Sequence, residues 1–224
     1  MMGKKFARLA IVSDRRNWIN AFIPAWLPRL KPQADDIVWL HDPDDMTSGD
    51  IAFFLGCERI VPPEALAMHK HNLVVHASDL PKGKGWSPLT WQILEGKNEI
   101  PVSLFEAAKE VDSGPIYARR TMSLRGTELI DEMRQALGRI AFELCEDFLA
   151  RYPGIIGQAV RQSGDSTFYP RRTPADSRLN PDLPIRDQFG LLRVADNERY
   201  PCYFELDGDT YVVKIEKRKA GDPA

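Results

Sequence analysis

The sequence predicts an α/β fold, in which helices cover both faces of a doubly wound, mostly parallel sheet. Two observations support this class: short apolar runs of strand length recur through the first half of the chain, and helical patterns separate them. A length of 224 residues with 43% apolar composition is also enough to bury the core of one full-sized domain. The apolar runs cover residues 7–12, 37–40, 51–55 and 73–75.

Prolines interrupt the helical patterns of the first half. Residues 17–30 place their large apolar side chains on one helical face, but Pro24 and Pro28 lie inside this pattern and predict a kink or a break. Residues 62–68 fit a short helix that opens with a proline, after the strand that Gly56 closes.

In the middle of the chain, the sequence predicts a loop, a helix, a strand and a second helix, in that order. Residues 80–88, with the sequence LPKGKGWSP, predict a shaped loop because two glycines and two prolines exclude a regular element. A helix over 88–94 and a strand over 101–107 should follow. The clearest helix covers 128–149, where apolar residues recur at helical spacing and Thr127 is the expected N-cap.

The tail has a different composition. Residues 163–186 are rich in Pro, Arg, Asp and Ser, which is typical of an ordered or clamped loop. Asp207 and Gly208 predict a hairpin turn between two of the strand-like runs that follow. Those runs cover residues 189–194, 200–206 and 210–215. We therefore expect a main domain over 1–160, and a C-terminal loop with a small β appendage over 161–224.

Composition excludes several classes of partner. The net charge of −2 gives no basic excess for nucleic acid or an anionic membrane, and no apolar stretch reaches the roughly 20 residues that span a bilayer. An odd set of three distant cysteines fits a reducing compartment, so we expect a cytoplasmic protein. His69 and His71, two positions apart, are not a helical metal pair, so no metal is expected.

Two motifs of the central region each resemble a motif of the same protein family. The run His76-Ala77-Ser78-Asp79-Leu80-Pro81, followed by Gly85, Pro88 and Trp91, is similar to the core motif of folate-dependent formyltransferases. Asp112-Ser113-Gly114-Pro115-Ile116 resembles the second motif of that family, at the family's usual separation from the first. Two linked motifs are more specific than either alone, and the resemblance implies a Rossmann-like catalytic domain.

The resemblance also implies roles for particular residues. It places His76 at the formyl centre and gives Asp112 the task of orienting His76 and handling protons. The co-substrate would be 10-formyltetrahydrofolate, bound without a metal. The positions expected to border it are Gly56, Ile60, Pro62, Leu80 and Gly114.

The chemistry of formyl transfer needs these residue types. The attacking amine must lose a proton, so a base is required near the formyl carbon. Negative charge builds on the formyl oxygen, so a hydrogen-bond donor must face it. A histidine at a strand end and a carboxylate on a nearby turn can serve both needs. Alone, each would more often be an ordinary structural residue.

A further resemblance concerns the acceptor. Residues 168–177, with the sequence FYPRRTPADS, are similar to a loop in formyltransferases that act on nucleotide-linked amino sugars. The run LPKGKGWSP over residues 80–88 resembles proteins of pseudaminic acid-type pathways. Members that act on initiator tRNA carry a C-terminal barrel, for which the residues after Asp176 are too few. A homodimer is possible. The residues expected to contact the acceptor are Ser78, Lys82, Lys84, Trp86, Tyr169, Arg171 and Arg172. For the two arginines, a solvated loop is an equally good interpretation.

One position departs from the family pattern. Val74 stands where the family has an asparagine that helps to hold the formyl oxygen, and Asn72 lies two residues further upstream. Either another donor, such as a backbone amide or Ser78, replaces the asparagine, or activity is reduced. Two alternatives stay open: a non-catalytic protein that binds folate or a nucleotide sugar, and a formyltetrahydrofolate hydrolase that uses water in place of the amine.

Overall fold

A six-stranded sheet with helices on both faces forms the body of the computed structural model, which describes residues 6–218. Its strands are β1 (Phe6–Val12), β2 (Ala34–Leu40), β3 (Gly49–Phe54), β4 (His69–His76), β6 (Glu99–Glu106) and β7 (Ile116–Ser123). The helices are α1 (Ile23–Leu30), α2 (Pro63–Leu66), α3 (Pro88–Leu94), α4 (Ile130–Arg151) and α5 (Phe189–Arg193). The remaining strands are the short β5 (Lys84–Gly85) and β8 (Phe168–Tyr169), and the hairpin strands β9 (Cys202–Leu206) and β10 (Asp209–Val213).

The order of the strands creates a crevice beyond the carboxyl ends of the parallel strands. The order is β2-β1-β3-β4-β6-β7, in which the first four strands run parallel and the last two pair antiparallel. The chain moves outward from β1 to β2 and then crosses to the other side of β1 for β3. Ligands of open α/β sheets bind beyond the carboxyl ends of the strands at such a reversal. The mixed sheet confirms the predicted fold class.

The main core lies between the sheet and the helices α1 and α4. Buried residues of that face include Leu9, Ile11, Trp26, Met133 and Phe148. A smaller cluster on the opposite face joins Val12 and Phe54 to Ala65 of α2. The alternating strand residues of β1 thus pack against different layers, as a sheet covered on both faces requires.

The predicted helix boundaries hold with two refinements. A 3₁₀ turn over Trp18–Ala21 ends at Phe22 before α1 begins, which confirms the predicted break; Pro24 lies in the first turn, where its missing N–H costs no bond. The prediction of Thr127 as the N-cap of α4 was wrong. The helix is capped at Leu129, whose N–H donates to Glu132, while the Thr127 amide donates to Glu128.

In the tail, one predicted strand was wrong and the hairpin is confirmed. Phe189–Arg193 form the helix α5 instead, and Leu192 and Arg193 of this helix are buried. Asp207 and Gly208, at φ of +52° and +91°, connect β9 to β10, and such positive values suit a tight hairpin. The loop at 163–186 is clamped through β8, which pairs with β5.

The sequence pattern gave no sign of β7. Its exposed middle carries Arg119 and Arg120, and this charge hides the strand in a simple hydrophobicity scan. Among residues 6–218, no helix has the length and apolar character that crossing a membrane requires. Within the same range, no three His, Cys, Asp or Glu side chains cluster closely enough to hold a metal ion.

Candidate active site

A cavity of about 470 Å³ opens at the carboxyl ends of the parallel strands. Asn17, Gly56 and His76, which follow or end β1, β3 and β4, all contribute to its wall. The cavity therefore occupies the crevice that the strand order predicts.

The cavity reaches both faces of the sheet. Neighbouring residues of a strand point to opposite faces, yet both Val74 and Val75 of β4 line it. We call the side that contains Val74 and His76 the His76 side; its other walls include Leu66, Phe105 and the segment 56–61. The side that contains Val75 is the α4 side, and its wall includes Ile130, Arg134, Leu137, Val194 and Tyr200.

His76 is held by a backbone carbonyl. Its Nε2 lies 2.9 Å from the carbonyl oxygen of Gly83. A carbonyl can only accept a hydrogen bond, so Nε2 must carry the hydrogen, and the tautomer follows from this partner. In the neutral ring, Nδ1 is then the nitrogen with a free lone pair. The side chain is 11% exposed and lines the cavity.

Asp112 completes the pair from a strained turn. Its backbone has a φ of +51°, a conformation that Asp tolerates better than most residues. Its Oδ2 accepts a hydrogen bond from the Gly85 amide at 2.9 Å and lies 3.7 Å from His76 Nε2. Gln162 Nε2 donates to the carbonyls of Asp112 and Gly114 at 2.9 and 2.8 Å. The tail thus fixes the turn that carries the carboxylate.

Gly114 is required by close backbone packing. A Cβ atom at this position would lie 1.7 Å from the carbonyl oxygen of Glu106. Only glycine lets the turn approach β6 so closely. Gly114 therefore allows the turn to pack against β6, and it does not line the cavity.

The structure brings together seven of the residues predicted for the site. These cavity-lining residues are His76, Asp112, Gly56, Ile60, Trp86, Arg171 and Arg172. Arg171 places its guanidinium carbon 4.8 Å from the centre of the Trp86 ring and pairs with Glu58 at 3.2 Å. Arg172 donates to the carbonyl of Asp176 and to Ser177, and burial lowers its pKa.

The other predicted residues lie outside the cavity wall: Pro62, Leu80, Gly114, Ser78, Lys82, Lys84 and Tyr169. Leu80 is buried against Phe105 and Ile116. Tyr169 faces away and donates its hydroxyl to Glu95; burial and that carboxylate raise its pKa to about 12.

Two further predicted acceptor contacts are covered by other parts of the protein. Lys84 is buried with its ammonium 5.7 Å from the centre of the Phe168 ring. The Ser78 hydroxyl is buried and has no hydrogen-bond partner among residues 6–218. Pro62 precedes α2, and Lys82 is exposed on the loop.

Val74 leaves an apolar wall beside His76. It packs against Leu80, Phe105 and Ile116. Asn72, two residues upstream, is buried and donates its side-chain amide to the Leu66 carbonyl at 2.8 Å, so it is committed to the fold. The donor for a developing negative charge must come from elsewhere.

Several contributors were not found from the sequence. Arg134 and Asp196 form a 2.8 Å ion pair in the wall of the α4 side. Burial alone would raise the pKa of Asp196, but bonds from Arg134 and from the amides of Arg199 and Glu198 outweigh it and lower the pKa. Nothing in local spacing could reveal a contact between residues so far apart in the chain.

Comparison with known proteins agrees with this geometry. Residues 40–144 match the family described as formyl transferase. Methionyl-tRNA formyltransferase of Streptococcus gordonii is 28% identical over 136 residues, which cover 60% of this chain and 44% of that protein. The corresponding enzyme of Acidothermus cellulolyticus is 27% identical over 181 residues, 78% of this chain and 54% of that protein. The chain spans about half the length of these curated relatives.

Solved structures share the fold. Methionyl-tRNA formyltransferase from Clostridium thermocellum superposes with a TM-score of 0.74 at 18% identity, covering 93% of this chain and 100% of that one. A sugar N-formyltransferase from a Shewanella species gives 0.69 at 15% identity, covering 96% and 99%. HypX from Aquifex aeolicus in complex with tetrahydrofolic acid gives 0.75 at 18% identity, covering 98% of this chain and 40% of that one. In its Rossmann-like sheet and in the match over residues 40–144, the chain is similar to the formyl transferase family.

Proposed function

We propose that the chain transfers a formyl group from 10-formyltetrahydrofolate to the primary amine of an amino-deoxy sugar carried by a nucleotide. The observation that carries this proposal is the placement of His76 and Asp112, 3.7 Å apart, in the wall of a cavity that reaches both faces of the sheet. A transfer reaction needs one acid–base centre that two substrates can approach from different sides.

The His76 side of the cavity suits the flat ring system of a folate. Leu66, Val74 and Phe105 give it apolar walls. The backbones of Ile60 and Val61 form no hydrogen bond with other residues in the range 6–218, so their amide and carbonyl groups can pair with the edge of a heterocycle. We assign the segment from Gly56 to Val61 to the donor. When bound, 10-formyltetrahydrofolate supplies a formyl group on an aryl nitrogen.

Proton movement falls to His76. The reaction forms a bond between the amine nitrogen and the formyl carbon and breaks the bond from that carbon to the folate nitrogen. A proton must therefore move from the amine to the departing nitrogen. His76 Nδ1, left free because Nε2 donates to Gly83, accepts the first proton and returns it to the departing nitrogen. Asp112 stabilises the charge that the ring carries in between.

Backbone amides supply the donor that Val74 cannot. Ala108, Val111 and Asp112 line the cavity, and their N–H groups make no hydrogen bond with other described residues. Unpaired amides at this turn can face the developing charge on the formyl oxygen.

The mouth of the cavity supports an anionic acceptor. Arg171, Arg172 and Arg199 line the wall, and Trp86 offers an aromatic face. Guanidinium groups bind phosphates with two parallel hydrogen bonds, which suits the diphosphate of a nucleotide sugar. A tRNA acceptor is the second candidate, because the curated relatives carry the name methionyl-tRNA formyltransferase. The net charge of −2 favours the smaller acceptor.

Mass spectrometry tests both candidates. Purified protein is mixed with 10-formyltetrahydrofolate and either a panel of amino-deoxy-sugar nucleotides or initiator methionyl-tRNA, with the His76→Asn variant as the blank. We expect one class of sugar nucleotide to gain the mass of CO. Formylation of the tRNA alone would replace the sugar by the second candidate. Binding of folate without any formylated product, or with formate as the product, would favour the binding protein or the hydrolase.

A further inference from the structure

The glycine-rich loop over residues 80–88 connects the two members of the catalytic pair. The Gly83 carbonyl accepts from His76 Nε2 at 2.9 Å, and the Gly85 amide donates to Asp112 Oδ2 at 2.9 Å. The separation of His76 from Asp112 therefore depends on where these two backbone groups lie.

The tail holds that loop from its outer side. Thr167 Oγ1 accepts from the Gly83 amide at 2.8 Å, and the Thr167 carbonyl accepts from the Lys84 amide at 2.9 Å. The Trp86 amide donates to the Tyr169 carbonyl at 3.1 Å. We name residues 167–169 the brace, because they hold the loop against the catalytic pair.

One peptide group connects the brace directly to His76. The Gly83 carbonyl and the Lys84 N–H belong to the same planar group, so the first faces His76 while the second faces Thr167. Hydrogen bonds on both ends of one peptide group polarise each other. A shift of the Thr167 carbonyl must rotate or move the group that sets the tautomer of His76.

Close packing shows why the loop needs its two glycines. A Cβ atom at Gly85 would lie 2.7 Å from the Tyr169 carbonyl oxygen, and one at Gly83 would lie 3.0 Å from the Tyr169 ring. Both glycines also have positive φ, +71° at Gly83 and +91° at Gly85. The brace therefore leaves little room for a side chain at either glycine.

We propose that Thr167 is a positioning residue for formyl transfer. Its hydroxyl holds the 82–83 peptide group and its carbonyl holds the 83–84 peptide group, so both act through Gly83 on His76, and β5 extends the effect to Asp112. This inference rests on the proposed function for its effect on rate, but its structural content does not. Thr167 is itself exposed, so its hydroxyl has no part in the core. Its role is to align the catalytic pair and not to bind either substrate.

Three variants separate alignment from stability. Thr167→Val removes the bond to Gly83 but keeps the backbone carbonyl, Thr167→Ser keeps both, and Thr210→Val is an exposed control on the distant hairpin. We expect Thr167→Val to lower kcat by about 10- to 100-fold with little change in either KM, since a small misplacement of catalytic groups costs about that much. Thr167→Ser and Thr210→Val should keep near-normal kcat.

Nuclear magnetic resonance supplies a readout that needs no turnover. In protein labelled with ¹⁵N-histidine, the His76 signals are assigned by their absence from His76→Asn. The protein without substitution should show a single tautomer with hydrogen on Nε2, and Thr167→Val should show a mixture. An unchanged tautomer together with unchanged kcat in Thr167→Val would overturn the inference, as would equal losses in Thr167→Ser. If no formyl transfer is found at all, the tautomer shift alone decides the role of the brace.

Discussion

At the scale of single residues, the orientation of one imidazole ring decides what the site can do. The Gly83 carbonyl fixes hydrogen on His76 Nε2, and Asp112 lies on the same side of the ring. In the proposed reaction, Nδ1 is therefore the nitrogen that acts as the base. Two backbone groups of the loop, the Gly83 carbonyl and the Gly85 amide, set this arrangement.

Replacing either member of the pair should abolish most turnover without unfolding the protein. His76→Asn removes the titrating ring, and Asp112→Asn keeps the acceptor for the Gly85 amide while removing the charge. General acid–base groups contribute about 10²- to 10⁴-fold, so we expect losses of that order in kcat. Asn also tolerates the φ of +51° at position 112. Steady-state kinetics measure the turnover of the two variants, and circular dichroism checks that they are folded. Near-normal turnover in one variant would mean that the substituted residue has no part in the mechanism.

An asparagine at position 74 should not increase the turnover rate. Val74→Asn would place a polar group against Leu80, Phe105 and Ile116, and an unpaired buried amide costs about 1–3 kcal/mol. Since backbone amides of the 108–112 turn can already face the formyl oxygen, we expect no rate gain and a lower melting temperature.

Ser78→Ala is the matched comparison for that variant. The Ser78 hydroxyl is buried outside the cavity wall, so its removal should leave turnover unchanged. A large rate gain in Val74→Asn would show that the site lacks a donor. A large loss in Ser78→Ala would make that hydroxyl the donor instead.

At the scale of elements, the turn before α4 is organised by one carboxylate. Glu128 accepts from the amides of Arg125, Gly126 and Thr127, at 2.9 to 3.2 Å. Partial burial would by itself raise the pKa of Glu128, but hydrogen bonds from the Arg125 and Thr127 amides and the Arg125 side chain outweigh it and lower the pKa to about 2.

The stability of the protein should therefore fall in acid through this group. A carboxylate whose pKa is depressed in the folded state stabilises that state above its unfolded pKa, and the contribution is lost as the pH falls from about 4.5 to about 2. Glu128→Gln should lower the free energy of unfolding by about 1–3 kcal/mol at neutral pH. Urea titrations at pH 7 and pH 3 measure this; the difference between the two proteins should shrink at the lower pH. Equal differences at both pH values would contradict the assignment.

At the scale of the whole molecule, the tail is tied into the body at several points. Arg193 of α5 is 5% exposed and donates to Asn98 and to the carbonyl of Glu128. Within residues 161–218, the tail has a small hydrophobic cluster of its own, which includes Leu179, Leu192 and Cys202. A cluster of that size cannot fold alone. We propose that residues 161–224 are an appendage that folds only against residues 1–160.

Breaking the Arg193 contacts should destabilise the entire protein in one transition. Arg193→Met removes the hydrogen bonds to Asn98 and to the Glu128 carbonyl, and a hydrogen bond to a charged group contributes about 1.5–3 kcal/mol. Scanning calorimetry should show a single peak at a lower temperature, since body and tail unfold together. Arg186→Met, a change at an exposed position of the tail, is the control. Two separate peaks would mean that the tail is an independent unit.

Much of the fold could be predicted because local patterns carry it. The strands β1 to β4, the helix α4 and the hairpin at Asp207 and Gly208 follow from apolar periodicity and from turn chemistry. The strand β7 and the helix α5 could not be predicted in this way. In both, burial against distant parts of the chain outweighs the local pattern.

By itself, the sequence determined the fold class and the two motifs that hold His76 and Asp112, because each motif is a short run whose residues and spacing are visible in one dimension. Only the tertiary structure decided which nitrogen of His76 is free, which predicted residues line the cavity, and that Thr167 and Gln162 hold the site from the tail. The contacts of Thr167 and Gln162 join residues that are 84 and 50 positions apart in the chain. Such contacts follow from how the layers pack, and no local periodicity records them.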